Sequence, residues 1–258
     1  MYAIVLAGGI PQEGDPLYEY TQGEAKALLD IAGKPMVQWV LDALNASQNI
    51  DKIVIIGLPS DSSLTSDKIA ALIPNQEGMI ENLRAGLNKV LEINPNGQHG
   101  LVVSSDIPAI TQEAVDWAVG NVGDSEEDIY YNVISRQVME KRFPDSKRSY
   151  IRLKDIELCG ADMNVISTRM ASSDSDIWNR LANSRKNAIK QAALIGFDTL
   201  FLLLFRMVTL DEAAQKVTKR LNIKGRAIVC PYAEVGMDVD KPFQLEILRK
   251  DLARRDTE

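Results

Sequence analysis

The sequence predicts a three-layer α/β fold built on a mixed, mainly parallel sheet, with a C-terminal helical elaboration. Three observations predict it. Through the first 120 residues, short apolar runs of strand length alternate with helical stripes, the pattern of parallel strands joined by crossover helices. A helical pattern takes over between Asp174 and Leu221. The chain of 258 residues, 45% hydrophobic and 25% charged, is long enough to bury a substantial core and has an ordinary globular composition.

The elements follow in order. Tyr2 to Leu6 is an apolar run ending in Gly8-Gly9. Pro35 suits the first turn of a helix whose Val37, Val40, Leu41 and Leu44 share a face. Lys52 to Ile56 is a second buried strand, and Ile80, Leu83, Leu87 and Val90 form another helical stripe. Leu101 to Val103 is a third strand, running into Ser104-Ser105-Asp106, and Thr111 is placed to cap a helix carrying Ala114, Val115 and Ala118. Asp128 to Ser135 and Tyr150 to Ile166 are strand-like and read as a mixed extension of the sheet. Thr209-Leu210-Asp211-Glu212 fits a capping box, Ala227 to Cys230 a last strand, and Lys241-Pro242 the start of a terminal helix carrying Phe243, Leu245, Leu248 and Leu252.

Several function classes are excluded early. A net charge of −7 argues against a broad nucleic-acid surface. The two cysteines, Cys159 and Cys230, have no metal-ligand spacing. His99, the single histidine, lies in the turn-rich stretch Asn94 to Gly100 and reads as a solvated turn residue. The opening strand leaves no room for a signal peptide, which points to a cytoplasmic protein. The apolar segment 199–205, bracketed by Asp198 and Arg206, is too short to span a membrane, which takes roughly 20 apolar residues. Large side chains at Leu200, Phe201, Leu203, Leu204 and Phe205 predict burial there, inside the domain or in a homodimer contact.

The chemistry concentrates at strand ends. Leu6-Ala7-Gly8-Gly9 lets backbone N–H groups approach a phosphate closely. It is neither a GxGxxG fingerprint nor a P-loop. The polar stretch from Ile10 to Ala25 suits a mobile cover over a nucleotide and leads to Lys26. Leu6-Ala7-Gly8-Gly9, Lys26-x-Leu28-Leu29 and Gly33-Lys34-Pro35-Met36 together resemble the nucleotidyltransferases of the glycosyltransferase-A-like fold. The nearest in look are the molybdenum-cofactor guanylyl- and cytidylyltransferases.

The resemblance implies a Rossmann-like fold of the nucleotide-diphospho-sugar transferase type over residues 1–258. Residues 1–120 would form the nucleotide-binding half. Residues 121–258 would form the acceptor half, with a helical insert at about 174–221. It further implies that Leu6, Ala7, Gly8 and Gly9 wrap an NTP and that Lys26 neutralises its phosphates. Gly78 and Asn82, in Gly78-Met79-Ile80-Glu81-Asn82, match the segment that meets the base. Asp106, in Ser105-Asp106-Ile107-Pro108, and Asp240, in Asp238-Val239-Asp240-Lys241-Pro242, match the family's metal ligands. Asp238 is the second choice for the late ligand. Cys159 to Asn164 resembles the stretch before the acceptor site, implicating Gly160 and Asn164. One departure stands out: Ile10 to Pro16 lacks the arginine that the family carries after its glycines.

Physical chemistry supports the two aspartates independently. Mg²⁺ takes oxygen ligands, keeps waters, and is held by one or two carboxylates plus substrate phosphates. Asp106 and Asp240 each follow a predicted strand, and ligands of open α/β sheets collect beyond carboxyl strand ends. The expected reaction is Mg²⁺-dependent transfer of a nucleotide from an NTP, CTP or GTP by resemblance, to a phosphorylated small molecule, with release of pyrophosphate. Lys26 and Asp106 are the expected catalytic residues. No histidine base is needed, because an acceptor phosphate is already ionised at neutral pH. The basic cluster Lys141, Arg142, Lys147, Arg148 and Arg152 is either an acceptor site or a solvated face. Two rivals stay open: a glycosyltransferase of the same fold, disfavoured by Ser104-Ser105-Asp106 in place of Asp-x-Asp, and a non-catalytic nucleotide-binding protein.

Overall fold

The computed structural model of the chain describes residues 1–76, 78–123, 126–172, 178, 202 and 205–255. Strand β1 (Tyr2–Leu6) lies in the middle of the sheet. Its Ala3 and Val5 enter one core and Ile4 the other, all fully buried. Burial on both faces is why this strand reads as a continuous apolar run rather than an alternation.

The hairpin β2 (Asp30–Ile31) and β3 (Lys34–Pro35) stands apart as a small second sheet. Strands β4 (Lys52–Ile56) and β6 (His99–Ser104) flank β1 in parallel. Strand β5 (Ile69–Ile73) continues beyond β4, also in parallel. On the other side the sheet becomes mixed. Strand β10 (Met163–Ser167) runs antiparallel to both β6 and β7 (Ile129–Ser135), and β11 (Gly225–Cys230) pairs with β7 in parallel. Strands β8 (Ile151–Arg152) and β9 (Glu157–Gly160) close that side antiparallel. The mixed, mainly parallel sheet with helices on both faces is the fold class the sequence predicts.

Helices cover both faces. On one, α2 (Met36–Ala46), α4 (Gln112–Gly120) and the C-terminal α7 (Pro242–Arg255) bury Val40, Leu41, Leu44, Val115, Leu245 and Leu248. On the other, α3 (Met79–Ile93) lays Ile80, Leu83, Leu87 and Val90 on Ile4, Val54, Ile56 and Val102. Each such side chain contributes roughly 1.5–3 kcal/mol by leaving water. Thr111 caps α4, its hydroxyl accepting from the Ala114 amide at 3.3 Å. The capping box before α6 (Leu210–Leu221) forms on both sides, with Glu212 N donating to Thr209 Oγ1 and Thr209 N to Glu212 Oε2.

The structure revises some of these readings and adds an element. His99 opens strand β6 and is half-buried with its ring edge-on to Tyr130, so it is no solvated turn residue. Strand β5 carries no clear sequence signal, because it pairs only with β4 and none of its residues is fully buried. The stretch from Ile10 to Ala25 contains a helical turn, α1 (Tyr18–Thr21), and is anchored by buried Leu17 and Thr21. Of the basic cluster, Lys141, Lys147 and Arg152 are exposed as a solvated face requires, whereas Arg142 pairs with Glu234 and Asp251 and Arg148 with Asp238. Of the apolar segment, Leu200, Phe201, Leu203 and Leu204 lie outside the described residues. Leu202 is half-buried against Val133, Leu153, Leu158 and Val208, but Phe205 is 58% exposed. No described helix is long and apolar enough to cross a membrane.

Gly57, just after β4, has φ of 107°, and a Cβ there would stand 2.2 Å from the Gly8 nitrogen. A side chain is excluded on both grounds. Gly57→Ala should therefore destabilise the fold by on the order of 2 kcal/mol or more. An unchanged urea midpoint would contradict this packing.

Candidate active site

Four strand ends meet at the top of the sheet. Ala7 N donates to Ile56 O at 2.7 Å, Gly57 N to Ile73 O at 2.8 Å and Ser105 N to Leu6 O at 3.0 Å. These bonds continue the β1, β4, β5 and β6 ladders into the loops, so the loops leave the sheet in a fixed geometry. Gly8 is needed for close approach: a Cβ there would lie 2.3 Å from Asn75 Oδ1 and 2.8 Å from Asn82 Nδ2.

The cleft above this point has a volume of about 810 Å³. Leu6, Gly8, Gly9, Lys26, Gly78, Asn82, Asp106 and Asn164 line it, whereas Ala7, Gly160 and Asp240 stand outside the lining. Asn82 is 5% exposed and both ends of its amide are engaged, Oδ1 accepting from Gln76 N and Nδ2 donating to Asn75 Oδ1. It shapes the wall by holding the 75–76 loop. Asn164 is similarly committed, accepting from Asn132 N and donating to Ala161 O. The Gly160 carbonyl faces Arg148 Nη2 at 3.5 Å.

Lys26 is the centre of the site. Its backbone N donates to Gly9 O at 2.8 Å, tying the short 3₁₀ turn Lys26–Leu28 to the glycine loop. Its ammonium donates to Asp106 Oδ2 at 2.6 Å and to Asp240 Oδ1 at 2.9 Å. Burial opposes the charge on Lys26, but Asp106 and Asp240 outweigh it and hold the ammonium above the usual lysine range. Burial likewise opposes the charge on Asp240, and Lys26 more than offsets it, holding that carboxyl below the usual range. Ser104 Oγ orients Asp106 by donating to its Oδ1 at 2.5 Å. Lys34, by contrast, lies over the Trp39 ring and pairs with Asp42.

Asp240 reaches this point differently from the expectation that it follows a strand directly. After β11 the chain passes through the 3₁₀ turn Ala233–Gly236, and Val239 N then docks on Asp106 O at 2.9 Å. Backbone contact between the two aspartate segments thus brings Asp240 opposite Asp106.

Sequence reasoning passed over Asp162 and gave Arg148 no place beside the aspartates. Asp162 lines the cleft, its Oδ2 is buried without a hydrogen-bond partner, and Arg148 stands 3.9 Å away. Burial, together with the charges of Asp106 and Asp238, pushes the Asp162 carboxyl up to about 7. Only the convergence of three chain segments reveals either residue. The donor set fits a hard cation: two carboxylates from separate segments already meet on one positive charge, and a further carboxylate oxygen nearby has no donor. Among the described residues no group of three or more His, Cys, Asp or Glu side chains could hold an ion by itself. Asp106 and Asp240 would thus share an ion with water or a ligand, the usual arrangement for Mg²⁺.

The chain belongs to the family of MobA-like NTP transferase domains, whose family model matches residues 3–215. A search of curated proteins gave no match. A hypothetical transferase from Thermus thermophilus is 32% identical, with a TM-score of 0.82 over 95% of this chain and 100% of that one. CMP:2-keto-3-deoxy-manno-octonic acid synthetase complexed with CTP is 14% identical, with a TM-score of 0.61 over 98% of this chain and 99% of that one. The 2-C-methyl-D-erythritol 4-phosphate cytidylyltransferase of Thermus thermophilus is 13% identical, with a TM-score of 0.54 over 98% of this chain and 100% of that one. At these low identities the last two likenesses establish a shared fold.

The raised Asp162 carboxyl gives a prediction with a sign. Between the unfolded value of about 3.9 and the folded value the native state binds the extra proton, so stability falls as pH rises through that window. Above about 7 the loss is complete. Asp162→Asn, compared with wild type by calorimetry in EDTA, should raise Tm more at pH 8 than at pH 4.5. Equal shifts at both pH values would contradict the assignment.

Proposed function

We propose that this chain is a Mg²⁺-dependent nucleotidyltransferase that moves the nucleotide of an NTP, CTP or GTP, onto a phosphorylated small-molecule acceptor and releases pyrophosphate. The observation that carries this reading is the Lys26 ammonium held between Asp106 and Asp240 at the mouth of a glycine-lined cleft. Family membership and the CTP in the complexed synthetase of the same fold support it.

Charge balance supports the metal. Asp106, Asp162, Asp238 and Asp240 gather around two cations, Lys26 and Arg148. A triphosphate would enter a cluster already short of positive charge. Asp106 and Asp240 would hold Mg²⁺, which when bound neutralises phosphate oxygens and orients the triphosphate.

The chain's own residues do the rest. The glycine loop presents backbone N–H groups to phosphate oxygens. Lys26, released from the aspartates, donates to the α-phosphate oxygens as negative charge builds on them. An ionised oxygen of the acceptor phosphate attacks the α-phosphorus in line. The new P–O bond forms as the bond to the β-phosphate bridging oxygen breaks, and pyrophosphate leaves with that electron pair. Positioning supplies most of the acceleration and no covalent enzyme intermediate forms.

A screen for pyrophosphate release, pairing each of the common NTPs with a set of phosphorylated acceptors, tests this reading. Activity with a ready-made nucleotide sugar and none with any NTP would overturn it in favour of glycosyl transfer. With an active pair in hand, Lys26→Ala should lower turnover on the order of 10²-fold or more. Lys34→Ala should leave turnover within about threefold, since Lys34 faces Trp39 and Asp42. Equal, small effects would show that the triphosphate lies elsewhere.

A further inference from the structure

Arg148 belongs to no motif and does not line the cleft, yet it reaches the aspartate cluster from behind. The turn after α5 (Arg136–Arg142) is anchored by buried Phe143 and Ser146. Lys147 then takes a left-handed backbone, φ 50°, which is unusual for a residue with a side chain. The chain is thereby turned so that the Arg148 side chain, 16% exposed, points into the molecule.

There the guanidinium is used in three directions. Nη1 donates to Asp238 Oδ1, Nη2 faces the Gly160 carbonyl at 3.5 Å, and the Asp162 carboxylate lies 3.9 Å from Nη2. Asp238 Oδ1 also accepts from Gln244 Nε2 at 3.4 Å, and Gln244 Oε1 accepts from the Asp240 backbone N at 3.0 Å. Gln244 is 5% exposed, so this connection is held by packing. Hydrogen bonds therefore run without a break from Arg148 through Asp238 and Gln244 to the backbone of Asp240. The two cations divide the cluster between them, Lys26 holding Asp106 and Asp240, and Arg148 holding Asp238 and facing Asp162.

We propose that Arg148 is the positioning residue of this site: by anchoring Asp238 it fixes the 238–240 turn and so keeps the Asp240 carboxylate opposite Asp106. The proposal rests on the reading that Asp106 and Asp240 share a divalent ion. Without Arg148, Asp238 becomes a buried carboxylate with no cation of its own. Its Oδ1 then loses the donor that fixes it, the carboxylate turns toward Lys26, and the turn is freed. A planar guanidinium serves all three partners at once, which a lysine ammonium cannot do with the same fixed geometry. Residues that orient metal ligands through hydrogen bonds typically change metal affinity 10–100-fold when replaced.

The test is a titration of the full chain with Mn²⁺ in the presence of CTP or GTP and no acceptor, following free Mn²⁺ by EPR, with Tm recorded for each variant. Arg148→Met and Asp238→Ala should each weaken Mn²⁺ binding about tenfold or more. The double variant should be no weaker than either single one, because both remove the same anchor. Arg148→Lys should fall between wild type and Arg148→Met, weaker than wild type by a few fold. Wild-type Mn²⁺ affinity in a folded Arg148→Met, or additive losses in the double variant, would overturn the proposal. Should Arg148→Met fail to fold, wild-type affinity in Arg148→Lys would overturn it equally. Asp106→Asn separates the two levels. If it binds Mn²⁺ as wild type does, the shared-ion reading itself is wrong. If it loses the ion while Arg148→Met and Asp238→Ala keep it, only the positioning role is wrong.

Discussion

The ammonium of Lys26, held between Asp106 and Asp240, is the interaction on which the rest of the site depends. It joins three segments distant in sequence: the turn after the glycine loop, the end of β6, and the turn leading into α7. Lys26 and Asp106 are largely buried, so either charge without its partner would be destabilising, while Asp240, 58% exposed, adds its charge from the solvent side. Each side makes the other tolerable. The backbone bonds from Lys26 to Gly9 and from Val239 to Asp106 hold the partners in register. The glycines serve the same end, since Gly57 and Gly8 let the β4 and β1 ends close to backbone contact beneath the cleft.

This arrangement explains how an acidic chain can suit a polyanionic ligand. The net charge of −7 offers no general attraction to phosphates. Under the proposed chemistry, binding would come from a few local groups: amides of the glycine loop, one lysine, and an ion shared by two carboxylates. The arginine missing after the glycines is consistent with that economy. The arginine that does reach the site, Arg148, comes from the turn after α5 and faces the aspartates instead of the cleft.

Much of the fold was legible in the sequence because the central strands and their helices are buried heavily. The runs Tyr2–Leu6 and Lys52–Ile56, and the stripe of Ile80, Leu83, Leu87 and Val90, carry the pattern of their surroundings directly. Strand β5 was not legible, since a half-buried strand paired on one side needs no strong pattern. The site divided along similar lines. Lys26, Asp106 and Asp240 lie within recognisable local segments, and the structure brings all three together. Arg148, Asp162 and Gln244 acquire their roles only through tertiary contact, and one of them sat within a run of basic residues that reads equally as surface. Asn82 and Asn164 were legible as residues of the cleft, but not as amides already committed to neighbouring backbone or side-chain groups.

The most direct measurement is a crystal structure of the full chain with Mn²⁺ and a non-hydrolysable CTP or GTP analogue, with the ion located by anomalous scattering. The proposed chemistry predicts a single strong peak bridging the Asp106 and Asp240 carboxylates, with Lys26 Nζ turned off the aspartates and onto a phosphate oxygen. A nucleotide bound elsewhere, or one bound in the cleft with Lys26 still clamped between Asp106 and Asp240 and no ion beside them, would contradict it.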